Sequence, residues 1–241
     1  MKKKFTLFIM LLTIGSWNLH AQQNQFSFGI KAGANLSDAI QETNYVNAGK
    51  PTAKVGYQIG ATAEYSPRGT FYLSSGLSVS NKGAIFKGAE RWIGGSNPPV
   101  TSWKKTTNQI YLQLPVAAGY NIHLCEQTSI KLNAGLYFAY GIGGKEIVKT
   151  KTTPSEAMKD EKFVYDTFDE NNNESYSPYN LDRKDYGATF GIGFRCKKFT
   201  IGLDYELGLL NIYKVDKTEL STSAGTYKNR NLALTVGYVL K

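Results

Sequence analysis

The sequence predicts an all-β fold: an eight-stranded antiparallel transmembrane β-barrel, built as an up-and-down meander. Three observations carry that expectation. Bulky apolar residues alternate with small or polar ones in eight separate stretches. The connections between those stretches alternate long and short. An export signal precedes them. The clearest stretch is 199–210, where Phe199, Ile201, Leu203, Tyr205, Leu207 and Leu209 alternate with Thr200, Gly202, Asp204, Glu206 and Gly208. A period of two belongs to a strand with two different faces.

Residues 1–21 read as a signal peptide. Lys2, Lys3 and Lys4 form its charged start, and Phe5 to Ile14 is an apolar run too short to cross a bilayer as a helix. Cleavage after Ala21 leaves residues 22–241 as the barrel domain. Leu19 is larger than the residue usually found three before a cleavage site, and the alternative is an anchor that stays attached. The whole chain carries 28 basic and 19 acidic residues, net +9; without the three leader lysines the balance is 25 against 19, or +6. The basic residues are scattered, so nucleic acid is not an expected partner. No later stretch is apolar over ~18 residues, so no transmembrane helix is expected.

The strands follow in order. Residues 26–36 set Phe28 and Ile30 against Gly29, Lys31 and Gly33. Residues 54–65 set Ile59 against Gln58, Gly60 and Glu64, and 71–82 set Leu73 and Leu77 against Ser74 and Gly76. Residues 108–120 set Leu112, Leu114 and Val116 against Gln113. Pro115 interrupts that strand's donors, so a bulge or local break is expected there. Residues 129–142 set Leu132 and Leu136 against Lys131 and Asn133. Residues 185–196 set Phe190 and Ile192 against Gly187, Gly191, Gly193 and Arg195. Residues 198–210 set Leu203 against Asp204 and Glu206, and 229–240 set Leu232, Leu234 and Val236 against Gly237. Each is about the length that a tilted membrane strand needs, roughly 9–11 residues in the core.

The long connections are 37–53, 83–107, 143–184 and 211–228; the short ones are Ser66–Thr70, Asn121–Thr128 and the turn at Lys197. Outer-membrane barrels have short periplasmic turns and long outer loops. An even strand count then puts both termini on the periplasmic side of the cell outer membrane. An interior of eight strands has room only for side chains, so the small and polar set faces the lumen and the bulky set faces lipid.

Two groups of candidate site residues follow from that assignment. Phe26, Tyr65, Phe71, Tyr120, Phe194, Phe199 and Tyr238 fall on the greasy face at the periplasmic end, where an aromatic girdle belongs; the fifth strand has Ile130 there. Lys31, Lys131 and Arg195 face the lumen with Glu64, Asp204 and Glu206, three charges against three. Buried charges must be paired, so these six are expected to form a lumen network.

The strands also carry a set of phrases: Phe28 to Ser37, Tyr72 to Leu77 ending in Lys82-Gly83, Tyr111 to Pro115, Ala134 to Gly141, Tyr205 to Asn211, and Lys228 to Leu234. Together they resemble the PorT-like outer-membrane β-barrel family of Bacteroidota, over the whole mature chain and in order. The resemblance implies an outer-membrane location and a monomer with no catalytic motif to map. The family takes its name from a protein needed for a secretion system, so an accessory role in protein secretion is an alternative function. One departure is the ending, Tyr238-Val239-Leu240-Lys241, where outer-membrane barrels often finish with an aromatic.

Chemistry is sparse. His20 leaves with the leader, and His123 lies in a periplasmic turn. No Ser–His or Asp–His arrangement can form at the outer rim, where barrel enzymes keep their sites. No catalytic residue, cofactor or metal is expected. Cys125 and Cys196 fall in short turns at one end, as free thiols or as a bridge, and make no zinc spacing. The run Asp166, Asp169, Glu170, Asn171–Asn173 and Glu174 lacks the central glycine of a calcium loop. Gly187, Gly191 and Gly193 lie on a strand with no helix following, so they build no phosphate cradle.

The leading function is a non-enzymatic surface barrel whose outer loops bind something or whose body stabilises the envelope, with outer-membrane lipid as one partner and an unidentified extracellular ligand or envelope protein as another. Trp92, Trp103, Tyr165, Phe168, Tyr176 and Tyr179 in the long loops either contact that partner or pack the loops against the rim. The alternatives are a narrow passive pore and a soluble eight-stranded ligand carrier, which would point its greasy set inward.

Overall fold

The computed structural model describes residues 25–42, 49–67, 69–91, 99–153, 160–168, 180–214 and 225–240. The expected leader, the acidic run 169–174, Trp92, Tyr176 and Tyr179 lie outside the described residues. In chain order the strands are β1 (Phe26–Glu42), β2 (Lys50–Thr52), β3 (Lys54–Tyr65), β4 (Phe71–Lys82), β5 (Ile85–Arg91), β6 (Val100–Thr107), β7 (Gln109–Cys125) and β8 (Thr128–Gly143). Then come β9 (Lys145–Thr153), β10 (Glu161–Asp166), β11 (Asn180–Leu181), β12 (Lys184–Cys196), β13 (Phe199–Gly208), β14 (Tyr213–Lys214) and β15 (Thr226–Val239).

Eight strands close a barrel in the order β1-β15-β13-β12-β8-β7-β4-β3. Every neighbouring pair is antiparallel, and the seam pairs β1 with β15 from Gly29↔Val239 to Glu42↔Thr226. Closure removes both edges of the sheet, which a bilayer interior demands because lipid offers no partner for a free N–H or C=O. The described ends of the chain meet at one end of the barrel, where Leu240 N donates to Phe28 O at 2.8 Å. The opposite end is the far end.

The two faces are the reverse of those of a water-soluble protein. The outward apolar residues are mostly exposed, with Leu112 at 38%, Ile59 at 59% and Val55 at 74%. The interior holds polar groups, with Asn35 at 1%, Gln113 at 2% and Glu206 at 5%. A soluble carrier buries its apolar set; here that set is outside, which removes the carrier alternative.

Three departures from the sequence reading matter. First, the described residues of the stretches 37–53, 83–107 and 143–184 are largely strand. β1 continues to Glu42, and β2, β5, β6, β9 and β10 form a second sheet beyond the far end, in the order β10-β9-β6-β5-β2. The transition is made at Gly83, whose φ of +136° suits glycine alone and whose α-carbon lies against Thr107 O, leaving no space for a side chain. Thr107 N then donates to Ala84 O at 2.9 Å.

Second, Pro115 causes a local break. β4 and β7 pair at Ser75↔Val116 and Ser78↔Gln113, leaving the two residues between unpaired without shifting the register. Ser75 Oγ donates instead to Pro115 O at 2.9 Å. Third, the turn read at 121–128 shrinks to Glu126 and Gln127, so His123 is an exposed residue near the end of β7. Cys125 and Cys196 are free and exposed. Both pair in register with Thr128, from opposite sides of β8. Two strand spacings, roughly 9.5 Å, separate their backbones, more than the ~7 Å a disulfide tolerates.

Candidate functional site: the barrel interior and its mouth

The interior divides into two halves. In the half near the chain ends, Glu64 on β3 meets two cations from across the barrel. Lys131 Nζ and Arg195 Nη2 both donate to Glu64 Oε2, the latter at 3.1 Å. Lys131 also sits 4.3 Å above the Tyr72 ring, and that ring lies flat over Gly119, where any side chain would collide with it. Lys31 and Asp204 line the same space without an ion pair to each other within 4.0 Å. These groups surround a cavity of about 160 Å³, enough for several waters at ~30 Å³ each.

The cavity reaches Gln113 and Glu206 and ends there. Lys82, at the end of β4, is fully buried, with its Nζ 2.7 Å from Glu206 Oε2 and 4.3 Å from the Tyr137 ring. Gln113 and Asn231 donate to the two Glu206 oxygens at 2.5 and 3.0 Å. Above them, Asp185 accepts from Asn229 Nδ2 at 2.9 Å and from the Tyr137 hydroxyl at 3.3 Å. Tyr111 and Tyr137 are wholly buried across the lumen. Phe86, Phe168, Leu181, Ile212 and Tyr227 then close the mouth as an apolar cluster, with Phe168 edge-on to Tyr111 at 5.5 Å.

The six residues read as one network are therefore divided between sites. Three of them, Glu64, Lys131 and Arg195, meet in one ion-pair group. Glu206 belongs to a different group, and its cation is Lys82, which the sequence reading did not choose. Lys82 adjoins Gly83 at the end of its strand, where alternation gives no face; parity counted back from Ser74 and Gly76 would have turned it inward. Phe168, read as a loop aromatic, is part of the cap and only 3% exposed. Trp103 packs half-buried over Gly88, and Tyr165 stacks with Phe163 at 6.3 Å.

The seven aromatics at the near end lie on the outward face. Six of them pair directly across strands, as Phe26↔Tyr65, Phe71↔Tyr120 and Phe199↔Tyr238, with ring centroids 4.7, 5.0 and 5.2 Å apart; Phe194 faces Ile130. A second outward group, absent from the sequence reading, lies toward the far end: Tyr57, Phe138, Tyr140, Tyr186 and Tyr205, all exposed. On β3 and β12 the two groups are eight residues apart. At ~3.3 Å per residue and ~40° tilt that is roughly 20 Å along the barrel axis, close to the ~25 Å apolar band of outer-membrane barrels.

Outside the barrel, the inner face of the second sheet holds a buried ion pair, Lys105 Nζ to Glu146 Oε1 at 3.1 Å. Burial pushes the Glu146 carboxyl up and the Lys105 ammonium down, each opposed by the other's charge. Among the described residues, no group of three or more His, Cys, Asp or Glu side chains could hold a metal ion.

No curated protein matches the chain. Among solved structures, it is similar to Ail, the attachment invasion locus protein of Yersinia pestis, at 15% identity and a TM-score of 0.36, covering 90% of this chain and 99% of that one. It is similar to OprG of Pseudomonas aeruginosa at 10% identity and 0.45, covering 90% and 96%. Neisserial surface protein A follows at 12% identity and 0.36, covering 88% and 96%. The family profile described as outer membrane protein beta-barrel domain matches residues 20–214. That span is most of the chain, and the protein belongs to this outer-membrane β-barrel family.

Proposed function

We propose that the protein is a sealed, non-enzymatic surface barrel that holds a binding sheet above the outer membrane. The observation that carries this reading is the filled far half of the lumen. Lys82, Glu206, Tyr111 and Tyr137 occupy its cross-section, and an apolar cluster covers them. An eight-stranded barrel is just wide enough for side chains to fill. The cavity near Glu64 ends beneath that plug, so the pore reading has no continuous path to support it. In this reading residues 1–21 are removed on export and both termini are periplasmic. The two aromatic groups sit at the two lipid boundaries, and the barrel is a monomer with lipid around it. The PorT-like resemblance of the strand phrases supports an origin in Bacteroidota; the accessory role in secretion is not needed to explain any residue described above.

Two measurements test the reading together. Folded protein in planar bilayers should show no steady single-channel conductance, and steady conduction would replace the plug with the pore. Intact cells carrying Ser102→Cys, on the second sheet, should react with a membrane-impermeant maleimide. Native Cys125 and Cys196, exposed at the opposite end, should react only after lysis. The reverse pattern would invert the topology.

A further inference from the structure

The second sheet brings five lysines into one straight row. Lys50 pairs with Lys87, Lys87 with Lys104, Lys104 with Lys149, and Lys149 with Lys162. Directly paired residues of an antiparallel sheet point to the same face. The row therefore crosses all five strands on one face, about 19 Å long at ~4.8 Å per strand. All five side chains are exposed, and none makes an ion pair within 4.0 Å among the described residues. Lys145 differs: on the same face it stands opposite Asp166. Acidic residues near the row, Asp160, Glu161 and Asp166, are confined to the β10 edge. Like charges directly opposite destabilise a sheet, and here the repulsion is repeated four times in succession.

The face that bears the row is the outward one. Phe86, Lys105, Glu146 and Thr152 are buried on the other side. Along the chain the row continues the lipid-facing surface of the barrel. Leu77 leads by parity to Ile85 and Lys87, Leu112 leads back to Thr106 and Lys104, and Ile142 leads to Lys149 past the irregularity where β8 leaves the register of β7. Lys149 is seven residues beyond Ile142, roughly 16 Å above the apolar edge at ~3.3 Å per residue and ~45° tilt. Phospholipid headgroups add only about 5–8 Å on each side of the hydrocarbon. The row stands above them, at the height of the sugars of a glycolipid.

We propose that this lysine row binds the phosphate- and carboxylate-bearing sugars of lipopolysaccharide packed around the barrel. The inference rests on the far end facing the cell exterior. A row of cations unpaired among the described residues matches a layer of anionic groups better than a single small anion, which would engage one or two lysines and leave the others opposed. It would anchor the sheet to the glycolipid layer.

The test uses the folded full chain immobilised in zwitterionic detergent, where binding does not depend on orientation in the cell. Purified lipopolysaccharide is the probe, and its retention is read by phosphate content. The parent should retain it in a salt-sensitive way. Lys87→Glu with Lys104→Glu and Lys149→Glu should weaken retention roughly 100-fold, at the tenfold or less that each lysine near an anionic surface supplies. A double reversal at the other end, Lys197→Glu with Lys198→Glu, should leave it unchanged. The same three positions changed to Gln keep the test valid if reversal disturbs the sheet. Equal retention by parent and both triple variants would overturn the proposal. So would retention of dextran sulfate without lipopolysaccharide, which would make the row a site for a free polyanion, or equal binding of phosphatidylglycerol vesicles. A failed topology measurement with successful retention would break the cellular reading and leave the site intact.

Discussion

The two halves of the lumen hold similar residues and use them differently. Near the chain ends, Glu64 serves two cations, one partly exposed, beside a cavity that admits water. In the far half, Gln113 and Glu206 form the end wall of that cavity, and Lys82, the cation of Glu206, is fully buried behind them. A charge beside the cavity can be rehydrated when its partner is lost, whereas the fully buried Lys82 ammonium cannot. The difference teaches that lumen charge is structural in proportion to its burial and that counting charges across a barrel does not reveal which are critical.

The largest expected effect lies at the fully buried Lys82. Glu206→Ala leaves the Lys82 ammonium buried without its partner, which costs ~3–5 kcal/mol. Lys82→Met combined with Glu206→Leu removes both charges and should recover most of that. Urea unfolding in lipid vesicles reads both. A double variant as unstable as the single one would show that packing, and not the charge pair, holds the plug.

A smaller effect separates the inside from the outside. Leu203→Arg puts a charge on the lipid face near mid-membrane and should cost roughly 2–4 kcal/mol. Gly193→Ser places a hydroxyl in the wet half, where the nearest atom to a new Cβ is 3.5 Å away, and should cost below about 1 kcal/mol. Equal folding yields for the two would show that the faces have been assigned backwards. The smallest effect sharpens the contrast between halves. Arg195→Ala leaves Lys131 on Glu64 and opens space for water, so about 1 kcal/mol or less is expected. A loss as large as that of Glu206→Ala would make the two halves alike.

The barrel was legible because each strand must present a greasy face to lipid, and period two is a physical consequence of that demand. Leu203 and Gly202 announce their faces from sequence alone. The second sheet was not legible. Its strands meet water on one face and a small inner cluster on the other, so Lys104, Lys105 and Thr106 alternate no hydrophobicity. Lys87, Lys104 and Lys149 are distant in sequence, and only register aligns them. Within the lumen, parity placed Glu206 inward, but its partner depended on depth along the axis, which parity does not carry. Glu206 and Lys82 come from strands that are not neighbours and meet across the interior.

The seam between β1 and β15 has a consequence in time. Seven of the eight barrel ladders join strands that follow one another around the meander. The seam alone joins residues about as far apart as the chain allows, Gly29 and Val239. Contacts of such long sequence separation form late, because the chain between them must be ordered first. Until they form, β1 and β15 are bare edges with fourteen residue positions each waiting to be paired, in a medium that offers no substitute partner. Assembly of this protein is therefore a race between circular closure and capture of an open edge by another chain, and its outcome is decided only when the final strand arrives.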